Sequence, residues 1–334
     1  MTAKTRKPLK HKKLIIALSV VLSVVLILTS AAVIFIKVGE ARLREKLTFN
    51  DNNQTAEEAY GDNAEVFHNG QGYVYNENLI NILCIGVDKE STDKKDRQAD
   101  ALFLLSLDTE TNVFNVVAIS RNTLTEIDVY DMNNEYMASE RNHICLSYVY
   151  GKDDEHSTKL TCKAVSRLMY DIPINAYYTV FLNSVGDVVD AVGGVEVIMP
   201  DNDMTDINKA WKKGKKVKLN GKTALTFIQH RGENHAPRLE RQKLFINNFM
   251  VAAKKAFKED VTLPLDVFNK LSKNSVTNID ASQVTYLATE MTSAKFKMHS
   301  LKGKEGFDGT YETFEADEKA LYETVLDLFY IKTN

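Results

Sequence analysis

The longest unbroken hydrophobic stretch of the chain lies near its amino terminus. From Leu14 to Ile36 no residue carries a charge, and about 18 or more such residues are enough for a membrane-spanning helix. Six basic residues and no acidic one precede this stretch. Because basic flanks stay in the cytoplasm, the pattern predicts a cytoplasmic segment over 1–13, a span over 14–36 and an extracytoplasmic remainder. A cleaved signal peptide is the alternative, since residues 30–32 are small, but the apolar run exceeds the usual length of about 7–15 residues.

Beyond the predicted span, the chain changes from polar sequence to alternating structural patterns. Residues 37–78 have few aliphatic positions and no clear period, which predicts a stalk with one short helix. The β-rich apolar runs that follow predict strands at Leu79–Val87, Ala101–Asp108, Val113–Ser120, Ala176–Leu182 and Val195–Met199. Apolar residues at helical spacing predict helices at Ser157–Tyr170, Asn183–Val192, Pro237–Lys258, Asp280–Thr292 and Glu315–Phe329. This order predicts an α/β fold, a single α/β/α sandwich-like domain over 79–332.

Charge and cysteine usage narrow the class of protein. Without the six basic residues of the amino-terminal flank, 36 basic and 45 acidic residues remain, a formal charge of −9. Since nucleic-acid binding needs a basic surface, no nucleic-acid partner is expected. Outside the cytoplasm a disulfide can persist, so Cys145 with Cys162 is a possible pair. Cys84 lies in an apolar strand and is expected to be a small buried hydrophobic residue.

Familiar enzymatic motifs are missing from the sequence. There is no G-x-S-x-G, H-E-x-x-H, EF-hand or G-x-G-x-x-G pattern. Gly221-Lys222-Thr223 resembles the end of a phosphate loop, but the spacing to the preceding glycine is wrong, so a turn leading into a helix is expected. His230 and His235 lack neighbouring carboxylates and are expected to be solvated rather than metal ligands.

Acidic and basic residues stand at the ends of three predicted strands. Asp88 directly follows one strand and Asp100 directly precedes the next, so adjacent strands would bring both carboxylates to one sheet edge. Such a pair suits Mg²⁺, which prefers one or two protein carboxylates together with phosphate oxygens. Taken alone, strand-end aspartates also serve as turn or cap residues. Arg121 ends the third strand and is placed to point at the same edge or to form a surface ion pair.

A second group of polar residues opens the longest predicted helix. Arg231 precedes that helix, and Arg238, Arg241 and Gln242 fall on one face of its first turns. Basic residues there oppose the helix macrodipole unless an anion lies between them. Arginine is also the side chain suited to bidentate phosphate recognition. The pattern therefore predicts a phosphate-binding site.

These segments, in this order, resemble the LytR-CpsA-Psr family of bacterial cell-envelope proteins over about 79–330. The segments that carry the resemblance are Asn81–Asp88, Ala99–Ser106, Ile119–Thr123, Ala191–Val197 and Leu219–Leu225, followed by the arginines and Gln242. No single segment is specific, but five in order behind a membrane anchor are. The resemblance implies a domain of that family with a mixed central sheet. It also implies that the protein is anchored in the bacterial cell membrane.

The family is understood to transfer phosphate-linked glycopolymers from a polyprenyl pyrophosphate carrier to peptidoglycan. The resemblance implies that Asp88 and Asp100 hold Mg²⁺ and act in catalysis with Arg121. It further implies pyrophosphate binding by Arg121, Arg231, Arg238, Arg241 and Gln242. Arg97 is included because it stands one position from an arginine of the family pattern. The expected partners are the lipid-linked donor, the peptidoglycan acceptor and the bilayer.

Three positions depart from the family pattern. Gln98 stands where the family has an arginine, Asn122 replaces an aspartate and Gln229 replaces the first arginine of a paired R-x-R. Each charge-assisted hydrogen bond lost this way costs about 1.5–3 kcal/mol. Two hypotheses follow, a glycopolymer phosphotransferase and a polyprenyl-phosphate-binding protein that scaffolds or regulates envelope assembly. A transcriptional regulator is disfavoured, because only 13 residues precede the span.

Overall fold

The computed structural model describes residues 11–49, 66–88, 97–230 and 236–333. The helices are α1 (His11–Leu43), α2 (Asp154–Leu168), α3 (Val185–Ala191), α4 (Gly221–Gln229), α5 (Ala236–Glu259), α6 (Leu263–Leu271), α7 (Ala281–Ser293) and α8 (Glu318–Phe329). The strands are β1 (Val66–His68), β2 (Gln71–Tyr75), β3 (Leu79–Val87), β4 (Ala99–Asp108), β5 (Val113–Ile119), β6 (Leu124–Tyr130), β7 (Tyr136–His143), β8 (Ala176–Phe181), β9 (Val195–Ile198), β10 (Lys216–Leu219), β11 (Ser275–Thr277), β12 (Lys295–Ser300), β13 (Gly303–Phe307), β14 (Glu312–Ala316) and β15 (Tyr330–Lys332).

A mixed six-stranded sheet organises the domain, in the order β11-β8-β3-β4-β5-β12. β4 pairs antiparallel with both β3 and β5, and β11 pairs antiparallel with β8, whereas β8 runs parallel to β3 and β12 runs parallel to β5. The central strands are almost entirely buried, as expected when both faces are covered. This confirms the predicted α/β class and mixed sheet.

Helices cover the two faces of this sheet through separate apolar clusters. On one face, residues of β3, β4 and β5 pack with α2 and α8 around Leu83, Leu104 and Phe329. On the other, Ile80, Ile82 and Phe114 pack with the end of α1 and with α7, while Phe103 and Val116 meet α5. A further cluster around Trp211 and Phe227 joins α3, α4, β9 and β10 beside the sandwich.

The described residues also form four smaller sheets. They are β1-β2-β15, β6-β7, β9-β10 and β13-β14. Of their strands, only β9 was predicted. Residues 312–316 form a strand, so the helix predicted from Glu315 instead starts at Glu318, where Asp317 accepts a hydrogen bond from the backbone of Ala320. The other predicted helices and strands agree with the structure to within three residues.

The stalk predicted over 37–78 is wrong for the residues that the structure describes. α1 continues to Leu43, which is fully buried against the sheet. β1 and β2 then pair with the carboxyl-terminal strand β15, so the folded domain begins before residue 79. Residues 50–65 of the predicted stalk lie outside the described residues.

α1 carries the apolar segment and also packs on the domain. Its part from Ser23 to Leu43 is long and apolar enough to cross a membrane, with a mean hydropathy of 2.0. At Gly39 the helix lies directly on α7, because a Cβ there would stand 2.1 Å from the carbonyl oxygen of Ser282. Arg42 forms an ion pair with Asp280, the N-cap of α7.

The predicted disulfide is absent, since Cys145 and Cys162 are both free and buried. The segment Gly221-Lys222-Thr223, which resembles the end of a phosphate loop, is the start of a helix, as expected. Asn220 caps α4, accepting a hydrogen bond from the backbone of Thr223, whose hydroxyl accepts one from the backbone of Asn220. His230 lies 3.1 Å from the carbonyl oxygen of Asp203, and His235 lies outside the described residues.

We expect Gly39→Leu to destabilise the packing of α1 on α7, because the new side chain occupies space filled by the backbone of Ser282. Overpacking of this kind costs about 1–3 kcal/mol. Thermal unfolding of the full chain in detergent should show a lower midpoint. Val38→Leu is the matched control, since Val38 is exposed. A Gly39→Leu protein that unfolds at the wild-type temperature would contradict the packing described.

Candidate functional site

An open cavity of about 680 Å³ lies at one edge of the six-stranded sheet. Strand ends, the start of α5 and the β13-β14 hairpin surround it. Its lining residues are Asp88, Gln98, Asp100, Ser120, Arg121, Asn122, Arg238, Leu239, Gln242, Phe307, Thr310, Tyr311 and Glu312. Most of the predicted site residues that the structure describes are in this set.

The two aspartates meet here because their strands are antiparallel neighbours. Val87, the last residue of β3, pairs with Ala99, the first residue of β4. Asp88 and Asp100 therefore stand at the same sheet edge and line the same cavity, as the sequence predicted. Asp88 also accepts a hydrogen bond of 3.4 Å from the Nε2 atom of Gln229.

Arg121 reaches the same edge from β5. Its guanidinium forms an ion pair with Asp100 and donates a hydrogen bond to the amide oxygen of Gln98. Its Nη2 atom lies 3.6 Å from the Sγ atom of Cys145. Burial lowers the pKa of Arg121, but the neighbouring Cys145 and Asp100 raise it, and the net shift is upward. The side chain is thus a fixed cation on the cavity wall.

The first turns of α5 complete the cationic side of the cavity. Arg238 has 14% of its side chain exposed and places Nη2 3.6 Å from an Oδ1 atom of Asp100. Gln242, one turn later, lines the cavity and donates a hydrogen bond of 3.3 Å to the carbonyl oxygen of Ile228. Asp100 therefore lies between two guanidiniums, whose positive charges favour its ionised form.

Two of the predicted phosphate-binding arginines that the structure describes do not line the cavity. Arg97 pairs with Asp154 at 3.1 Å instead. Arg241 is fully buried, donates a hydrogen bond to the carbonyl oxygen of His230 and lies 3.6 Å from Asp203. Burial lowers its pKa. Since helix carboxyl ends attract cations, Arg241 stabilises the end of α4. Arg231 lies outside the described residues.

The amides that depart from the family pattern keep their places in the site. Gln98 accepts from Arg121, and Gln229 donates to Asp88. Asn122 lines the cavity, and its Nδ2 atom lies 3.5 Å from an Oε2 atom of Glu312. Each amide preserves a hydrogen bond while removing a charge.

The β13-β14 hairpin supplies cavity residues that sequence reasoning missed. Phe307 ends its first strand, Thr310 and Tyr311 lie in its turn, and Glu312 begins its second strand. The sequence contains one signal for this hairpin, the dipeptide Asp308-Gly309, which is typical of tight hairpin turns. Gly309 has a φ of +101°, and the Asp308 side chain accepts hydrogen bonds from the backbones of Thr310 and Tyr311.

A second cavity of about 300 Å³ adjoins the first behind the hairpin. Ser120, Asn122, Leu239 and Glu312 line both cavities. The other residues of the second cavity are Ala118, Glu240, Ser300, Leu301, Glu305, Gly306, Thr313 and Phe314. The described charged residues that line it are all glutamates, whereas those of the first cavity include two arginines.

This fold and site place the protein in a known class. The LytR_cpsA_psr family model matches residues 45–328, most of the chain. The protein therefore belongs to the LytR-CpsA-Psr family, which confirms the resemblance seen in the sequence.

Named relatives and solved structures agree with this assignment. One relative is the polyisoprenyl-teichoic acid–peptidoglycan teichoic acid transferase TagU of Bacillus subtilis strain 168. It is 28% identical over 256 residues, which cover 75% of this chain and 76% of TagU. The crystal structure of B. subtilis TagV has a TM-score of 0.61 at 24% identity, covering 75% of this chain and 97% of TagV. TagT bound to LIIa-WTA has a TM-score of 0.58 at 19% identity, covering 75% and 89% of the two chains.

We expect Cys145 and Cys162 to resist alkylation in the native protein at pH 8. Burial raises the pKa of both thiols, and at Cys145 this outweighs the opposite effect of Arg121. The thiols are therefore protonated, and the thiolate is the reactive form. Mass spectrometry after maleimide treatment should show both cysteines unlabelled until denaturant is added. Labelling of either one in the folded protein would contradict the placement beside Arg121 or within the core.

Proposed function

We propose that this protein transfers a phosphate-linked glycopolymer from a polyprenyl pyrophosphate carrier to a hydroxyl of peptidoglycan. Membership in the LytR-CpsA-Psr family and the similarity to the teichoic acid transferase TagU support this function. The observation that carries it is the cavity itself, in which Arg121 and Arg238 face Asp88 and Asp100 at one sheet edge.

The arginines are suited to bind the pyrophosphate of the donor. Arg121 and Arg238 currently share the carboxylate of Asp100. A dianionic pyrophosphate entering the cavity offers both guanidiniums additional charged acceptors, and bidentate pairs of this kind are strong. Gln242 adds a neutral donor on the same wall. Phosphoryl transfer depends mainly on such positioning and charge neutralisation.

The two aspartates fit a Mg²⁺ ion. Asp88 and Asp100 face one cavity from adjacent strand ends, and Mg²⁺ is usually held by one or two carboxylates with substrate phosphates. Within the described residues no cluster of three or more potential metal-binding side chains occurs, so phosphate oxygens would have to complete the coordination. A bound Mg²⁺ would neutralise charge on the pyrophosphate.

The proposed location is the bacterial cell membrane, with a single span and a cytoplasmic amino terminus. The apolar part of α1 and the six basic residues before it support this topology. The folded domain then lies outside, where peptidoglycan is the available acceptor.

A second candidate function is binding of polyprenyl phosphates without transfer, in a scaffolding or regulatory role. The observation that favours it is the replacement of three charged family positions by Gln98, Asn122 and Gln229, all beside the cavity residues. Turnover by the wild-type protein separates the two candidates. Donor binding without glycopolymer transfer would support the second.

We expect Arg121→Ala to weaken binding of a synthetic polyprenyl pyrophosphate glycolipid by roughly 10- to 150-fold, since about 1.5–3 kcal/mol of charge-assisted hydrogen bonding is lost. Native mass spectrometry or calorimetry in mild detergent measures this change. Lys222→Ala is the control, because Lys222 lies in the first turn of α4 and does not line the cavity. Equal losses in the two variants would exclude the assigned site.

We expect chelation of divalent cations to abolish transfer by the wild-type protein and added Mg²⁺ to restore it. Asp88→Asn should lose this response to Mg²⁺, because a neutral amide is a poor ligand for a hard cation. Release of polyprenyl phosphate, followed by chromatography, is the readout. Full activity in the presence of a chelator would contradict the proposed role of the metal.

A further inference from the structure

Glu312 stands where the two cavities meet. Its side chain lines both of them, together with Ser120, Asn122 and Leu239. It comes from β14, not from the strand ends that hold the aspartates. Glu312 therefore belongs to a part of the chain that contributes no predicted site residue.

The backbone fixes this glutamate opposite Asn122. The amide of Phe314 donates a hydrogen bond of 2.8 Å to the carbonyl oxygen of Asn122, and Thr123 and Phe314 form a parallel bridge. On the same strand, the carbonyl oxygen of Glu312 lies 3.0 Å from Nε2 of His143. With its main chain held on both sides, the Glu312 carboxylate lies within 3.5 Å of the Asn122 amide.

Asn122 leaves the site short of one carboxylate. An amide cannot accept a proton from a hydroxyl as a carboxylate does. Of the three described carboxylates that line the larger cavity, Asp100 is paired with both arginines and Asp88 is assigned with it to the metal. Glu312 is the third, and it stands beside the amide that replaces the missing acid.

The second cavity has the character of a sugar site rather than a phosphate site. Its described charged lining residues are Glu240, which pairs with Lys243 at 2.7 Å, and Glu305 and Glu312, carboxylates that repel phosphates and accept hydrogen bonds from hydroxyl groups. At the mouth of the first cavity, Phe307 and Tyr311 are 67% and 66% exposed and offer apolar rings. A neutral sugar hydroxyl can thus approach from the glutamate side while the donor occupies the arginine side.

We propose that Glu312 is the general base that deprotonates the acceptor hydroxyl, and that the acceptor sugar enters through the second cavity. The inference rests on the proposed transferase function. The acceptor oxygen forms a bond to the phosphorus that carries the glycan, and its proton passes to the Glu312 carboxylate. The bond from that phosphorus to the bridging oxygen breaks, and polyprenyl monophosphate leaves with that electron pair.

The test compares three variants with the wild-type protein in transfer and donor-binding assays. Glu312→Gln should lower kcat at least 100-fold, in the range of general base catalysis at about 10²–10⁴, while donor affinity stays within twofold. Glu315→Gln, the matched control on the same strand, should keep wild-type kcat because Glu315 pairs with Arg141 and lines neither cavity.

The third variant carries a carboxylate at position 122 instead of position 312. Asn122→Asp added to Glu312→Gln should recover at least tenfold of the lost kcat, since the two side chains are 3.5 Å apart. An unchanged kcat in Glu312→Gln, a parallel loss of donor affinity, or a double variant no faster than the single one would overturn the role of Glu312. A wild-type protein that binds donor but transfers nothing would instead overturn the proposed function, and Glu312 with it.

Discussion

The register between β3, β4 and β5 is the constraint on which the site depends. Antiparallel pairing of Val87 with Ala99 and of Leu102 with Ile119 brings the end of β3, the start of β4 and the end of β5 to one edge. A shift of one residue would turn every side chain of a strand to the opposite face. The buried faces of these strands forbid such a shift, because each strand packs against helices on both sides. Core packing thereby fixes the positions of Asp88, Asp100 and Arg121.

The charges at this edge are balanced by one another before any ligand arrives. Asp100, with 11% of its side chain exposed, is compensated by Arg121 and Arg238. An unpaired buried charge would be costly, so the carboxylate keeps both guanidiniums oriented toward the cavity. Asp100 thus positions the two guanidiniums, and it relieves in part the apparent opposition of the α5 arginine Arg238 to the helix macrodipole.

Sequence reasoning identified the parts of the site that depend on strand order. The apolar pattern along the chain reveals the strands. Pairing of successive strands then places the residues that stand at their ends. The prediction of site residues failed where a long side chain could reach either of two partners. Arg241 shares a helix face with Arg238 but reaches the end of α4, and Arg97 reaches Asp154. The β13-β14 hairpin was missed because its strands are short and exposed, with no apolar alternation. Similarly, the polar composition of 37–78 concealed β1 and β2, which β15 completes from the other end of the chain.

Because α1 packs on the domain, the distance between its carboxyl-terminal end and the cavity is fixed by the sheet. Leu43, at the end of α1, packs against Ile80 and Phe114, at the ends of their strands opposite the cavity. β3 has nine residues, and at about 3.3 Å per residue it spans roughly 30 Å. The length of β3 therefore separates the cavity from the carboxyl-terminal end of the apolar helix, so the two cannot approach one another while the sheet is intact.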